Sequence, residues 1–190
     1  MSELTFSQSE RRNFLGPILI AVAVLAIAGV AIYLYIPKSV AGLTVTHTAI
    51  LAKHTVFKTD SKLVGHQDQA DDDLYVLTTV RIDNHLRVPL FINDITGTLT
   101  PPDDTAAEPL TASAIEKKDL DNLFTTFPDL KPLASEPLVR ESSIPPRSSA
   151  EGMVLLHYPI TQADWNNRKS TTVTIDFYHQ GPFTVSIPKS

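Results

Sequence analysis

Residues 74–83, LYVLTTVRID, have the period-two pattern of a β-strand. Every second residue is apolar or threonine, in the order Leu74, Val76, Thr78, Val80, Ile82. Because successive side chains of a strand point to opposite faces, these five residues share one face. We expect that face to lie in a hydrophobic core, and we therefore expect this part of the chain to form a sheet.

Similar alternation occurs on both sides of this segment. From Leu43 onward one face has the apolar or half-polar residues Leu43, Val45, His47, Ala49, Leu51. Two further segments, 88–92 and 95–99, are separated by a turn or bulge at Asn93 and Asp94. Pro89 cannot donate a ladder hydrogen bond, so its segment is predicted at a sheet edge.

The C-terminal part of the chain shows the clearest strand signals. Residues 153–158 (MVLLHY) are apolar on both faces and predict an interior strand. In 171–179 the side chains of Val173, Ile175 and Phe177 are predicted to point inward. A turn at 180–182 leads to a returning strand with Phe183, Val185 and Ile187. About seven short strands without alternating helices predict a mainly β, antiparallel two-sheet sandwich spanning 43–190, and argue against a parallel α/β fold.

Two polar stretches interrupt the strands. Residues 53–73 end in Asp71-Asp72-Asp73 and predict a loop or hairpin with a solvated acidic end. Residues 101–147 form a long proline-rich insertion in which 112–127 has apolar residues at helical spacing. We expect one short amphipathic helix there, with Phe124 and Phe127 either capping an open end of the sandwich or exposed. Because long loops in compact domains are often functional, this insertion is the predicted working surface.

An uncharged apolar run, residues 14–36, precedes the sandwich. Its 23 residues would span about 34 Å as a helix, enough to cross a bilayer core. The run predicts a single transmembrane helix between a tail at 1–13 and a linker at 37–42. It contains no ionisable residue and no two small residues four positions apart, so it predicts a plain membrane anchor.

Flanking charges predict the orientation of this anchor. Arg11 and Arg12 precede the run and only Lys38 follows it closely, which favours a cytoplasmic N-terminus and a periplasmic or extracellular domain. The alternative is a signal peptide cleaved after the small-x-small sequence 26–28. Cleavage there would leave an apolar stub, so an uncleaved anchor in the cell (inner) membrane is the preferred prediction.

Composition and motif searches limit the possible functions. The net charge of −5 argues against nucleic-acid binding. With no cysteine, disulfides and thiolate metal sites are excluded. The six histidines show no metal-ligand spacing, and no nucleophile elbow or glycine-rich phosphate loop occurs. We therefore predict no catalytic residue, no metal and no cofactor.

The single tryptophan, Trp165, has two interpretations. Exposed, it would be a binding hot spot beside Phe124 and Phe127. More often, a lone tryptophan in a turn between strands packs over the end of the core. Thr161 is placed to cap a helical turn that contains Trp165.

The stretch 74–100, LYVLTTVRIDNHLRVPLFINDITGTLT, resembles the core of LEA14-like, or water-stress and hypersensitive-response, domains. Asn84 would fill their asparagine position, while His85 stands where they usually have proline. The segment IPPRSS at 144–149 is similar to their proline-and-serine turn. Telokin-like, immunoglobulin-like bacterial envelope domains share these features. Either resemblance implies an immunoglobulin- or fibronectin-like sandwich without catalytic residues, in which Asn84 closes a turn onto backbone groups.

These observations predict a non-enzymatic, membrane-anchored interaction or accessory module of the cell envelope. Its expected partners are the lipid bilayer, through residues 14–36, and an envelope protein, through Phe124, Phe127 or Trp165. A sensor that binds a small ligand or envelope material in a cleft under the inserted helix is the alternative. An envelope hydrolase is a third hypothesis, which would need titratable groups that converge in one pocket.

Overall fold

The structure, a computed structural model, describes residues 15–35, 39–57, 69–103 and 107–189. For the strand residues at 56, 57, 69 and 70 it describes the backbone alone. The chain divides into two compact units, Met1–Lys38 and Ser39–Ser190.

Helix α1, Leu15–Tyr35, is the described part of the first unit. Its 21 residues are long and apolar enough to span a membrane. The predicted helix at 14–36 is therefore confirmed to within one residue at each end. The tail at 1–13 and Pro37 lie outside the described residues.

The second unit is mainly β. Its described elements are β1 Ala41–Phe57, β2 Gln69–Asn84, β3 Leu90–Thr100, β4 Leu110–Ser113, α2 Lys117–Thr126, a 3-10 helix Pro128–Leu133, β5 Ser143–Ile144, β6 Ser149–Tyr158, α3 Gln162–Asn167, β7 Ser170–Phe177 and β8 Gly181–Ile187. Strands β1-β2-β6 form one antiparallel sheet, and β4-β3-β7-β8 form the other, with β5 paired to the start of β3. The predicted two-sheet antiparallel architecture is confirmed.

The main hydrophobic core lies between these two sheets. Strand β2 contributes the face predicted from LYVLTTVRID, all of it buried: Leu74, Val76, Thr78, Val80, Ile82. Strand β7 contributes Val173, Ile175 and Phe177, also as predicted. Period-two alternation therefore identified the inward faces of these two strands correctly.

A helical layer covers the outer face of the three-stranded sheet. Tyr75 and Leu77 on β2 form a second buried cluster with Met153 and Leu155 on β6. Leu120 of α2 packs into this cluster, as does the 3-10 helix residue Leu130, which is 0% exposed. Strand β6 is thus apolar on both faces because both faces are covered. The predicted helix exists, but the insertion also contains β4, β5 and the 3-10 helix.

The acidic run is part of a paired strand, so of the two predicted alternatives, a loop or a hairpin, the structure has the hairpin at these residues. Strand β1 continues to Phe57 and β2 begins at Gln69, so Asp72 pairs with His54 and Asp73 with Lys53. At residues 71–73 strand β2 pairs with β1 alone, and these residues are exposed or half-buried. This part of the hairpin can be polar because a two-stranded ribbon does not need an apolar face.

A register irregularity in β1 corrects the predicted face of that strand. It falls between Val45 and His47, where the chain carries an extra residue relative to β2. Such a bulge exchanges the two faces of a strand. Beyond it Ile50 faces the main core, whereas Leu51 packs against the second cluster. His47, Ala49 and Leu51 therefore do not continue the face of Leu43 and Val45.

Three smaller predictions were wrong about position. Pro89 precedes β3, and β3 is an interior strand with neighbours on both sides. Strand β6 lies at the outer position of its sheet rather than inside it. The last turn occupies 178–180, so Pro182 is already in the edge strand β8, where proline is tolerated. The bulge predicted at Asn93 in β3 is confirmed.

Asn84 ties the β2–β3 turn to the segment before β6. Its amide nitrogen donates to the carbonyls of Val88 at 2.9 Å, Ile144 at 3.0 Å and Pro145 at 3.0 Å. Its side-chain oxygen accepts the Leu86 N–H at 2.9 Å. The side chain is 2% exposed, so Asn84 has the structural role that the resemblance implied.

Candidate functional site

One backbone hydrogen bond joins the outer strands of the two sheets, β4 and β6, just beyond the end of β4. The Ile115 N–H donates to the Leu155 carbonyl at 2.9 Å, which joins the segment after β4 to β6. From there β4 lies towards Leu110 and β6 continues to Tyr158. Among the described residues no other backbone hydrogen bond joins residues 110–116 to β6, which leaves an opening between the two strands.

A cleft of about 780 Å³ occupies this opening, and we call it the seam cleft. Its described lining residues are Leu99, Pro101, Pro102, Ala107, Glu108, Leu110, Ile160, Asp164 and Asn167. Leu99 belongs to the main core, and Leu110 and Ile160 pack against that core. Core side chains thus form one wall of a mostly apolar cleft, whose volume falls within the range of ligand-binding clefts.

Helix α3 forms the opposite margin of the cleft, and its position is fixed locally. The Thr161 hydroxyl accepts the Asp164 N–H at 3.1 Å, and the Asp164 carboxylate accepts the Thr161 N–H at 3.1 Å. This reciprocal capping box confirms the helical turn predicted from Thr161. Asp164 therefore both holds the helix and places a carboxylate at the cleft.

The surroundings of the seam cleft are acidic. A second cavity of about 520 Å³ shares Ile160 and Asp164 with it and is also lined by the aspartates at 71–73. With Glu108 this makes five carboxylates at the two cavities, and no lysine or arginine is among their described lining residues. We call these carboxylates (Asp71, Asp72, Asp73, Glu108, Asp164) the acidic margin.

Two members of the acidic margin contact histidines. Asp72 Oδ1 lies 2.7 Å from His54 Nδ1, and Asp73 Oδ1 lies 2.6 Å from His157 Nε2. The ring of Tyr75 stacks on His157 at 5.0 Å. Burial, and secondarily the charge of Asp73, raises the pKa of Tyr75 above its ordinary value.

These pairs do not form a nucleophilic site in the described part of the chain. There, the side chain of His157 makes its hydrogen bond to Asp73 and none to a serine or threonine hydroxyl. Among the described residues there is also no group of three or more histidine, aspartate or glutamate side chains that could hold a metal ion. His66 lies outside the described residues.

The three residues predicted as an interaction surface lie in two different places. Trp165 is 1% exposed and belongs to the main core, where the Arg168 guanidinium stacks 3.8 Å from its ring centroid. It is therefore unavailable as a surface hot spot. Phe124 and Phe127 are half-buried against the second cluster, and Phe127 contacts Tyr75 at 5.2 Å.

This placement corrects the expected position of the two phenylalanines. They lie on the outer face of the β1-β2-β6 sheet rather than over an open end of the sandwich. The helix α2 likewise covers a packed cluster, so the large cleft lies along the seam and not beneath the helix. Five of the lining residues fall in the insertion 101–147 that was predicted as the working surface, but no signal in the sequence placed them beside Ile160, Asp164 and Asn167.

Comparisons with known proteins add little to this description. No protein-family model matches the chain, and a search of curated proteins finds no match. Among solved structures, the yjhA protein from Bacillus subtilis aligns with 80% of this chain and 95% of its own length, at 14% identity and a TM-score of 0.44. A functionally unknown protein from Listeria monocytogenes EGD-e aligns with 78% of this chain and 88% of its own length, at 8% identity and a TM-score of 0.37. Likenesses at these scores carry no argument about family or function.

Proposed function

We propose that this protein is a single-pass, membrane-anchored interaction module of the cell envelope, with a non-enzymatic sandwich domain outside the cytoplasm. The seam cleft is the observation that carries the proposal. It is an opening of about 780 Å³ at which Leu110 and Ile160, two half-buried side chains that pack against the core, are accessible. A protein that needed only a stable sandwich would gain from closing such an opening, because burial of apolar surface is favourable.

The membrane anchor and its orientation rest on α1 and its flanks. The helix has the length and composition of a span. Arg11 and Arg12 precede it and Lys38 follows it, so the positive-inside bias favours a cytoplasmic N-terminus and the cell (inner) membrane as the location.

An immunoglobulin-like ancestry is supported by the order of the strands. The first, second and sixth strands share a sheet, while the third, seventh and eighth share the other. Constant-type immunoglobulin domains distribute their A, B, E and C, F, G strands in the same way. In this comparison β4 is an added strand, and the segment with α2 and the 3-10 helix replaces strand D. Both the LEA14-like and the telokin-like resemblance fit this order.

The non-enzymatic assignment is supported by the lining of the cleft. Its described titratable residues are Glu108, which is exposed, and Asp164, which serves in the α3 cap. This pair lacks a nucleophile and a base in contact with each other. Binding of a small apolar ligand is the second candidate, because the cleft volume also suits one.

Two experiments test the proposal with the full-length protein in its membrane. Protease added outside the cell membrane should digest the sandwich, whereas an inward-facing sandwich would stay protected. In affinity capture after detergent extraction, one discrete partner should co-purify with the wild type and with Asp121→Lys, but not with Glu108→Lys. Asp121 is an exposed acid on α2 away from the cleft lining, so its reversal controls for net charge.

Equal capture by both variants would contradict the choice of surface. Absence of any partner, together with a rise in melting temperature on addition of a small molecule, would favour the second candidate, since a ligand that binds only the folded state stabilises it.

A further inference from the structure

The hydrogen bonds of β4 determine which of its backbone groups point away from its sheet. In the β3–β4 ladder Leu110 faces Leu99 and Ala112 faces Gly97. The Ala114 N–H donates to the Ile95 carbonyl at 2.9 Å, so in this antiparallel ladder the bonded pairs fall at the even positions of β4. The N–H and C=O groups of Thr111 and Ser113 therefore point outward, away from β3.

These outward groups lack a backbone partner within the described part of the chain. Strand β4 is the last strand of its sheet and pairs only with β3 there. The next outward residue, Ile115, bonds to Leu155 of β6, which shows that this edge is able to accept a second strand. Unpaired edge groups of this kind are a template for an added strand.

Strand β6 presents a similar edge on the other side of the opening. The Met153 N–H donates to the Glu136 carbonyl at 2.7 Å, so the odd positions of β6 point away from β2. The outward carbonyl of Leu155 is taken by Ile115. At His157 the outward backbone groups have no backbone partner among the described residues. Two unpaired strand edges thus flank the same opening.

We propose that the occupant of the seam cleft is an extended segment of a partner protein, which adds a strand to β4 and alternates apolar with basic residues. This inference rests on the proposed function and names the chemistry of its partner. Main-chain hydrogen bonds to Thr111 and Ser113 supply the pairing. Apolar side chains of the added strand lie in the cleft beside Leu110, and its basic side chains reach the carboxylates of the acidic margin.

Size and charge both favour such an occupant. Outward backbone groups occur at every second residue of an edge strand. The four residues of β4 therefore offer two pairing positions, Thr111 and Ser113, which suits a short extended segment. The five carboxylates of the acidic margin, without a lysine or arginine in the described lining, attract cationic side chains. A second copy of this chain is a poorer fit, because it carries a net charge of −5 and would bring like charges together.

Binding of a defined peptide tests the inference. The probe is a labelled, end-capped peptide of about eight residues in which valine alternates with lysine. Its affinity for the full-length protein in detergent is measured by fluorescence anisotropy. We expect Thr111→Pro and Glu108→Lys each to weaken binding at least about tenfold and Asp121→Lys to leave it unchanged, because proline removes the outward N–H and charge reversal repels lysine.

Changes in the peptide keep the test valid if a variant is misfolded. A peptide with an N-methyl group at every residue has no N–H to donate on either edge and should lose binding. A peptide with glutamate in place of lysine should also bind at least about tenfold more weakly. Equal binding of the N-methylated peptide, or of the glutamate peptide, would overturn the inference.

The two levels of the proposal can fail separately. If no peptide binds, but a partner is still captured from membranes in a Glu108-dependent manner, then the strand-addition inference is wrong and the interaction module stands. If neither occurs, both are wrong.

Discussion

Replacing Asn84 with alanine should be among the most damaging single changes in the sandwich. The side chain makes four hydrogen bonds to backbone groups, at 2.9–3.0 Å, and joins the β2–β3 turn to Ile144 and Pro145. The Ile144 carbonyl is in a buried bond, so its loss should cost about 1–3 kcal/mol. Each of the other three, in part-buried bonds that water can replace, should cost about 0.5–1 kcal/mol.

The total is a loss of about 2.5–6 kcal/mol from a domain whose stability is typically about 5–15 kcal/mol. For a domain of this size the melting temperature should fall by about 10 °C. Urea unfolding of residues 39–190, followed by circular dichroism, measures the change directly. Asn84→Asp should be at least as damaging, because it places a carboxylate against three carbonyl oxygens.

Asn122→Ala is the matched control for this measurement. Asn122 lies exposed on α2, and its backbone carbonyl, which accepts the Thr126 hydroxyl, is kept when the side chain is replaced, so the change should stay within about 0.5 kcal/mol. A loss below about 1 kcal/mol for Asn84→Ala would refute the view that this side chain holds the turn and the segment before β6 together.

Three further predictions concern packing and pH. Gly97→Ala should destabilise the sandwich by about 1–3 kcal/mol, because a Cβ there would overlap the side chains of Leu156 and Tyr158. Gly42→Ala is the control and should be tolerated, because the nearest atom to its added Cβ would lie at 3.5 Å. The urea midpoints of the two variants measure the difference in stability. Burial raises the pKa of Tyr158 above its unfolded value of 10.0, so stability is fully present below about pH 10 and is lost as the pH rises beyond it. Tyr158→Phe should reduce this loss of stability at alkaline pH, as measured by urea midpoints at a series of pH values. At neutral pH the same variant should be more stable by up to about 1 kcal/mol, because the buried hydroxyl has no hydrogen-bond partner among the described residues. Leu130→Ala should cost about 2–5 kcal/mol and increase amide exchange in α2, since Leu130 is fully buried under the helical layer; unchanged exchange would mean that α2 is held by other contacts.

Local patterns in the sequence were sufficient for helix α1 and for the buried faces of β2 and β7. Alternation in β2 and β7 identified their buried faces, and the apolar run at 14–36 identified α1. Thr161 alone predicted the turn of α3, because a helix cap involves only neighbouring residues, and the structure adds Asp164 as its capping partner. These elements depend on interactions within a few positions of the chain.

The seam cleft could not be predicted because it depends on where two distant strand edges meet. Ile115 and Leu155 are 40 positions apart, and nothing local indicates that they bond. The bulge in β1 likewise has no sequence signal, yet it reverses the faces of His47 and Leu51. Trp165 was ambiguous from sequence because burial of a lone tryptophan depends on the helix and strands packed around it.

Site-specific photo-crosslinking in the intact membrane tests the central claim, that the seam cleft is the working surface. A photoreactive amino acid is placed at position 108, beside the cleft, and separately at position 121 on α2, both of which are exposed. We expect one discrete adduct from position 108 of the full-length protein and none from position 121. Adducts of equal yield from both positions, or from position 121 alone, would contradict it.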